Sequence, residues 1–573
     1  MMHGGDRIVE VLIRRGVETI FTLTGGHIAP ILSGAAVRGL SVIDVRDEAN
    51  AVFAADATSR LTGISGVAVV TAGPGVTNTL TALQNALLAQ SPLVLIGGAA
   101  ATALQGRGAL QDIDQAAVIR SHVKTVLQAR RVRDLAVMVD EAFQTSMSGV
   151  PGPVFVEAPV DLLYQEEVVR DMYLSGDTPK SLAGRATRAH LRWHVGRLFA
   201  GVDEQAPSAP LPEVPEPRRV ALGRVAKLVR ESKRPALVVG SGAMSIPGEA
   251  GAVAAAVNQL GMPTWLAGMA RGLLGPKHPL HLRHRRREAL KQADLVILAG
   301  MPIDFRLDYG RVIGEGAKLV TAGRDEEAMS KNRRPTVAVP GDAGRFLQGL
   351  AEACEAGRWD EWLDTLRTRD AERDEQIQQQ ADVPAAPINP LRLLGRIDAA
   401  MADDSVIVAD GGDFVASASY VLHPRGPLRW LDPGVFGTLG VGAGFAMAAA
   451  QAQPGTEVWL LYGDGAAGFS LVEFDTFARH GIPVIAVVGN DAGWTQIARD
   501  QVTILGDDVG TVLAATDYHR VAEGFGSVGL LLDDPDRIDD TLAEAKRVAA
   551  EGRPVLVNAR IGRTEFRKGS MSM

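Results

Sequence analysis

Two stretches of this chain put hard oxygen ligands where a divalent cation and a phosphate could meet. Residues 459–465 read WLLYGDG and residues 483–491 read PVIAVVGND. Each is an apolar run that stops abruptly, the first at Gly463, Asp464 and Gly465, the second at Asn490 and Asp491, about 25 residues later. Carboxylate and carboxamide oxygens from Asp464 and Asn490, with phosphate oxygens and a backbone carbonyl, would complete an octahedron around Mg²⁺. Gly465 and Ala466 are small enough for backbone N–H groups to approach an anion, and the following SLVEFDTFARH reads as helical, which suits a phosphate. The competing reading is plain turn chemistry, because Asp and Asn are common after strands.

The elements that would hold these residues repeat along the chain. Short apolar runs (TIFTL, GVAVV, PLVLIGG, RPALVVG, ADLVILAG, SVIVADGG, EVWLLYGDG, RPVLVNARIG) alternate with longer helical patterns. That is the mark of βαβ units and parallel sheets covered on both faces. The expected fold is α/β: three doubly wound, mainly parallel-sheet domains at 1–170, 219–356 and 386–573. Linkers are expected at 171–218, which contains the proline-rich AGVDEQAPSAPLPEVPEPR, and at 357–385, a charged, Gln-rich helix end leading to prolines. The first and last domains can share an architecture. Ligands of such sheets collect at the C-terminal strand ends, where Gly463-Asp464-Gly465 stands. Within the first linker, residues 182–200 form a helix pattern with Leu191, Val195, Leu198 and Phe199 on one face and Arg188, Arg192 and Arg197 elsewhere. A helix lying on its own protein is favoured there over one lying on a membrane.

The 573 residues are 46% hydrophobic and 22% charged, ordinary for a soluble globular protein, and the formal net charge of −8 argues against a general nucleic-acid binder while leaving room for a local basic pocket. A single cysteine, Cys354, rules out an internal disulfide or a cysteine-based metal site and reads as a small buried hydrophobe. The opening MMHGGDRIVEVLIRRG lacks a signal-peptide pattern, no apolar run reaches the ~18–20 residues of a membrane span, and the final KGSMSM matches no common address tag. A cytoplasmic location without a transmembrane segment is expected.

GDG after a strand, with Asn at the end of the next strand, is the thiamine-diphosphate fingerprint. Over essentially its whole length the chain resembles the thiamine-diphosphate enzymes that include acetolactate synthase, oxalyl-CoA decarboxylase and 2-hydroxyacyl-CoA lyase. The resemblance implies Mg²⁺ held by Asp464, Asn490 and the carbonyl of Ala492. It implies a diphosphate on Gly463, Gly465, Ala466 and the loop Gly411-Gly412-Asp413-Phe414, with Gly493 and Trp494 also against the cofactor. FGTLGVGAGFAMAAA resembles the family's GT(M/L)G stretch, in which Gly437 would accept the cofactor's 4′-amino group and Leu439 would force its rings into a bent shape; glycine-mediated helix packing is the other use for it. VIDVRDEANAVFAADATSRLTG resembles RHExxAxxxAxxxxRxTG, with Arg46, Glu48, Arg60 and Gly63 in place and Asp47 where the family has His. Glu48 would then hydrogen-bond the pyrimidine N1′ and pass the proton that generates a C2 ylid. Taken alone it would be a helix-capping charge. In the family this glutamate serves a cofactor on a second subunit, which implies a homodimer or a dimer of dimers.

The reaction is read from three further regions. Gly25, Gly26 and His27 in TLTGGHIAP stand where the family's substrate loop approaches C2; His27 could also be a cap beside a turn. Gln111 in RGALQDIDQ stands at the acetolactate synthase glutamine, and TAGPGVTN, residues 71–78, matches the family's glycine turn. After Asn490, NDAGWTQIARDQ is shorter than the acetolactate synthase pattern and nearer the CoA-linked branch. Arg283, Arg285, Arg286, Arg287 and Lys291 could hold CoA or ADP phosphates, or form a solvated helix face. Bound FAD is the less expected alternative. RGPLRWLDPGVFGTLGVGAGFA and HGIPVIAVVGNDAGWTQI carry the nearest resemblance, to acetolactate synthase-like 2-hydroxyacyl-CoA lyases. The implied activity is a C–C lyase/carboligase that cleaves a 2-hydroxyacyl-CoA to an aldehyde and formyl-CoA, or runs the reverse. The rivals are acetolactate synthase chemistry on 2-keto acids and a silent cofactor-binding scaffold or regulatory subunit; Glu48, Asp464 and Asn490 together argue against the scaffold.

Overall fold

A computed structural model describes residues 3–175, 181–201, 208–355 and 357–567. The C-terminal KGSMSM and part of the proline-rich segment lie outside those residues. Three parallel sheets carry the chain. The first comprises β1 (Thr19–Leu23), β2 (Ser41–Asp44), β3 (Gly66–Val70), β4 (Leu93–Ala99), β5 (Thr125–Gln128) and β6 (Pro153–Pro159), in the order β2-β1-β3-β4-β6-β5. The central sheet comprises β7 (Pro235–Val239), β8 (Thr264–Leu266), β9 (Leu295–Ala299), β10 (Lys318–Gly323) and β11 (Val337–Pro340), in the order β11-β10-β9-β7-β8. The third comprises β12 (Val406–Asp410), β13 (Trp430–Leu431), β14 (Val458–Gly463), β15 (Ile485–Asn490), β16 (Val528–Leu532) and β17 (Val555–Arg560), in the order β13-β12-β14-β15-β17-β16. Counted from its own first strand, the third sheet repeats the order of the first.

The apolar runs are strands because both faces of each sheet are covered. All residues of β3, β4, β6, β14 and β15 are buried, so no polar alternation appears in them. Each sheet has its own core, with Val69 and Ile96 in the first, Val238 and Val296 in the central and Leu461 and Val487 in the third. The chain forms two compact units, one carrying the first sheet and ending at Glu213, the other carrying the central and third sheets from Val214 onward together with the short stretch Arg60–Gly63.

The two expected linkers contain helices. Leu182–Leu198 seats Val195 and Leu198 in buried positions within the first unit. Asp360–Ala381, 22 residues long, buries Trp362, Leu363, Leu366 and Ile377. Its polar majority hides this: a few buried apolar side chains suffice to seat a helix whose other faces are solvated. Cys354 is buried, and burial raises its thiol pKa, which keeps it unreactive. Among the described residues no helix is long and apolar enough to cross a membrane.

Candidate active site

In the second unit, register brings the oxygen ligands together. β14 and β15 pair in parallel with Gly463 opposite Gly489, so Asp464 and Asn490 are each the next residue beyond a paired position. Helix Asp464–Ser470 starts at once after β14. The Asp464 carboxylate accepts the Gly465 N–H at 2.8 Å and the Gly493 N–H at 3.0 Å, tying the first strand end to the loop after the second. The Asn490 amide nitrogen donates to Thr516 and Asn558 at 3.0 Å each, which leaves its oxygen turned toward the Ala492 N–H, 3.3 Å away. Ala492 has φ +54°, a left-handed conformation rare outside glycine.

The donor set fits a divalent cation. Burial and the neighbouring Asp491 charge push the Asp464 carboxyl up to about 6, and a bound cation would offset both effects. Among the described residues no group of three His, Cys, Asp or Glu forms a metal site. The set anticipated from the sequence is of another kind: one carboxylate, one carboxamide and one carbonyl.

The surrounding residues leave room for a diphosphate. Gly411 has φ +62°, and a Cβ there would stand 2.1 Å from Leu439 Cδ2 and 3.2 Å from Ala466 Cβ. A Cβ on Gly465 would stand 2.4 Å from the Trp494 ring. Gly412 packs against Gly463, whose N–H donates to the Gly411 carbonyl at 3.1 Å. Asp413 pairs with Arg499 at 2.6 Å, and Phe414 packs over Gly489. Gly437 has φ +65° and open space around it. Apart from Arg499, all of these residues, with Gly493, line one cavity of about 660 Å³. Asn490 and Ala492 stand behind that surface, between Gly489, Asp491 and Gly493.

Another wall of the cavity carries Arg271, Arg286 and Arg306 from the central sheet's C-terminal loops. Arg271 donates to the Ser419 carbonyl and lies over the Trp430 ring at 5.2 Å. Arg306 is held by Asp304. Burial, with Arg271 and Arg306 nearby, pushes Arg286 down to about 10. The cation run of the sequence is divided among different tasks. Arg283 donates to the Tyr420 and Leu422 carbonyls, Arg285 pairs with Glu288, Arg287 pairs with Asp308, and Lys291 is exposed. Only Arg286 of the five lines the cavity. Sequence reading missed Arg271 and Arg306, whose one signal is position just after β8 and β9.

In the first unit, Glu48 opens the helix Glu48–Thr62 and is 7% exposed. The Asp47 carboxylate accepts the Ala49 N–H at 2.8 Å as a turn-forming group. Glu48 accepts a hydrogen bond from the Asn78 side chain at 2.9 Å. The turn after β3 gathers the other expected residues. Thr71 Oγ1 lies 3.3 Å from His27 Nδ1, and a Cβ on Gly25 would collide with Thr71 at 2.4 Å. A Cβ on Gly73 would stand 2.8 Å from the Gln111 carbonyl, and Gln111 itself has φ +62°. Gly26 has nothing within 4 Å of a Cβ position. Burial lowers the His27 pKa, favouring the neutral ring. Thr71 and Asn78 lie inside the glycine turn read from sequence, yet their contacts with His27 and Glu48 were not anticipated. Nor was Gln115, which is buried, accepts the Gly73 N–H and donates to Glu157.

Known proteins match along the same three parts. The family profile described as thiamine pyrophosphate enzyme, N-terminal TPP binding domain, matches residues 2–118; the central domain matches 222–350; the C-terminal TPP binding domain matches 410–559. The 2-hydroxyacyl-CoA lyase 2 of Danio rerio is 49% identical over 100% of this chain and 93% of its own length. That of Homo sapiens is 48% identical over 100% of this chain and 92% of its own. A probable acetolactate synthase of Mycobacterium bovis is 34% identical over 97% of this chain and 95% of its own. With near-half identity along its full length and all three domain profiles in order, the chain belongs to the thiamine pyrophosphate enzyme family.

Proposed function

We propose that the protein is a thiamine-diphosphate- and Mg²⁺-dependent 2-hydroxyacyl-CoA lyase, cleaving a 2-hydroxyacyl-CoA to an aldehyde and formyl-CoA and able to run the ligation in reverse. The observation that supports this most is the shared cavity, which sets the Asp464/Gly465 cradle and the Arg271/Arg286 cations around one space of about 660 Å³. A CoA thioester carries phosphates at one end and the reacting carbonyl at the other, which matches a cavity with cations on one wall and the cradle on another. The lyases related to this chain carry the same activity in their names.

Bound thiamine diphosphate supplies a nucleophilic carbon that adds to a carbonyl and takes up the electron pair of the broken C–C bond. In this reading Asp464, Asn490 and the Ala492 carbonyl hold the metal. Gly411, Gly412, Gly465 and Ala466 admit the diphosphate, while Leu439, Gly437 and Trp494 shape the space beside it. Glu48, oriented by Asn78, holds and returns a proton at the pyrimidine N1′ of a cofactor on a second subunit, giving a homodimer or dimer of dimers. His27, in its neutral form, and Gln111 accept or donate hydrogen bonds at the substrate carbonyl and hydroxyl, with Gly25 and Gly26 leaving the approach open. We place the enzyme in the cytoplasm.

The test sets 2-hydroxyacyl-CoAs, formyl-CoA plus aldehydes, and pyruvate side by side. Cleavage of the CoA thioester with release of formyl-CoA is the expected result. Acetolactate from pyruvate, with no thioester cleavage, would replace this reading by that of the Mycobacterium bovis relative.

A further inference from the structure

The helix Leu182–Leu198 has two unlike faces. Its inner face lies on the first unit: Val195 and Leu198 are buried, and His194 Nε2 is 2.8 Å from Thr102 Oγ1, whose own partner is the buried Asp161. Its outer face carries Leu182, Ala186, Ala189, Trp193 and Gly196, at alternating spacings of four and three residues that place them in one line. Leu182 is 85% exposed and Trp193 59%. Isolated exposed apolar residues need no explanation; here they form a continuous strip.

Cations border the strip on both sides. Arg185 and Arg192, seven residues apart, flank one edge; His190 and Arg197, also seven apart, flank the other, and all four are exposed. The helix contains four arginines and no Asp or Glu, in a chain whose formal net charge is −8. An apolar strip with a tryptophan, edged by arginines, is the composition of a helix lying in a membrane interface. Pairing with the same face of a second copy would set like charges opposite each other, which disfavours self-association there.

We propose that the outer face of Leu182–Leu198 is a docking surface for an anionic lipid bilayer, holding the enzyme peripherally with Leu182 and Trp193 inserted and Arg185, Arg192 and Arg197 at the headgroups. The two placements that the sequence set as alternatives, on the protein and on a membrane, then belong to opposite sides of one helix. None of the residues proposed to meet lipid lines the cavity that holds the Asp464 cradle.

The experiment is co-sedimentation of the full-length protein, loaded with thiamine diphosphate and Mg²⁺, with phosphatidylcholine vesicles containing or lacking phosphatidylserine. Wild-type protein is expected to pellet with the anionic vesicles only, and less at high salt. Each arginine near such a surface is worth roughly fivefold in partition, so Arg185→Gln with Arg192→Gln should lower binding roughly twenty- to thirtyfold. Leu182→Ala with Trp193→Ala should also release the protein, while circular dichroism and turnover of both variants stay at wild-type values. Wild-type protein that stays in solution with anionic vesicles, or pellets equally with neutral ones, would overturn the proposal. So would a fall in oligomer mass by light scattering in the Leu182/Trp193 variant with vesicle binding unchanged, which would assign the face to a contact between subunits.

Discussion

Asp464 and Asn490 leave the third sheet side by side, because Gly463 and Gly489, the residues just before them, are register partners on β14 and β15. Their oxygens converge through pairing, with the intervening helices Asp464–Ser470 and Phe474–His480 serving as the crossover. The expected consequence of Asp464→Ala is loss of metal-dependent cofactor affinity beyond the roughly 10- to 100-fold typical of residues that only support a ligand. Titration calorimetry with thiamine diphosphate and Mg²⁺ measures it; unchanged affinity would remove Asp464 from the metal site.

Glu48→Gln keeps the shape of the side chain and the Asn78 hydrogen-bond distance while removing the proton-accepting oxygen. Turnover should fall by about 10²–10⁴-fold, the range for a lost general acid–base. Cofactor binding and thermal unfolding should change little. A variant that turns over at the wild-type rate would contradict the assigned role.

Gly411 is a position where a methyl group has no place. Its φ of +62° disfavours an L side chain, and the Cβ of alanine would meet Leu439 Cδ2 at 2.1 Å. Gly411→Ala should cost more than about 1 kcal/mol in stability and displace Leu439, so cofactor affinity drops with it. Equal melting temperatures and equal affinities for the two proteins would refute this.

Asp410 gives a pH prediction. Its two carboxylate oxygens accept the Gly440 and Gly442 N–H groups at 3.0 and 2.8 Å, fastening the start of the helix Val441–Ala452 just after Leu439. Burial outweighs these bonds and pushes the carboxyl up to about 7. A group raised in the fold binds more protons folded than unfolded, so its stabilising contribution is complete below the ordinary aspartate range. It is lost as pH rises through about 7. The cofactor-free protein should therefore lose melting temperature relative to Asp410→Asn between mildly acidic and mildly alkaline pH. A constant difference across that range would show that Asp410 does not titrate there.

β14 and β15 were readable because parallel strands covered on both faces are apolar throughout, and because Asp464 and Asn490 interrupt them at the end. The grouping of Glu48, His27, Gly25 and Gln111 was readable only by resemblance. In space it depends on Thr71 and Asn78, which turn back from β3, and no periodicity reports that. Arg271 and Arg306 were invisible for a related reason: they are 35 residues apart and meet only when β8 and β9 deliver their loops to one cavity. The cation run misled in the opposite way, since Arg283 and Arg285 precede the helix Arg286–Gln292 that carries the other three, and the charges go to different partners. The Asp410 clamp needs glycines 30 and 32 residues away, beyond the reach of any local pattern.

The first and third sheets repeat one strand order, yet the carboxylate proposed to handle the proton, Glu48, belongs to one and the proposed cation ligands to the other. In the two-subunit arrangement proposed above, damage to one sheet leaves the other fully serviceable. Two inactive proteins, Glu48→Gln and Asp464→Ala, should therefore recover activity when their subunits are exchanged. Each mixed pair assembles one site from two undamaged halves, so random mixing should restore about a quarter of wild-type turnover, the share of sites that draw both halves from intact parents.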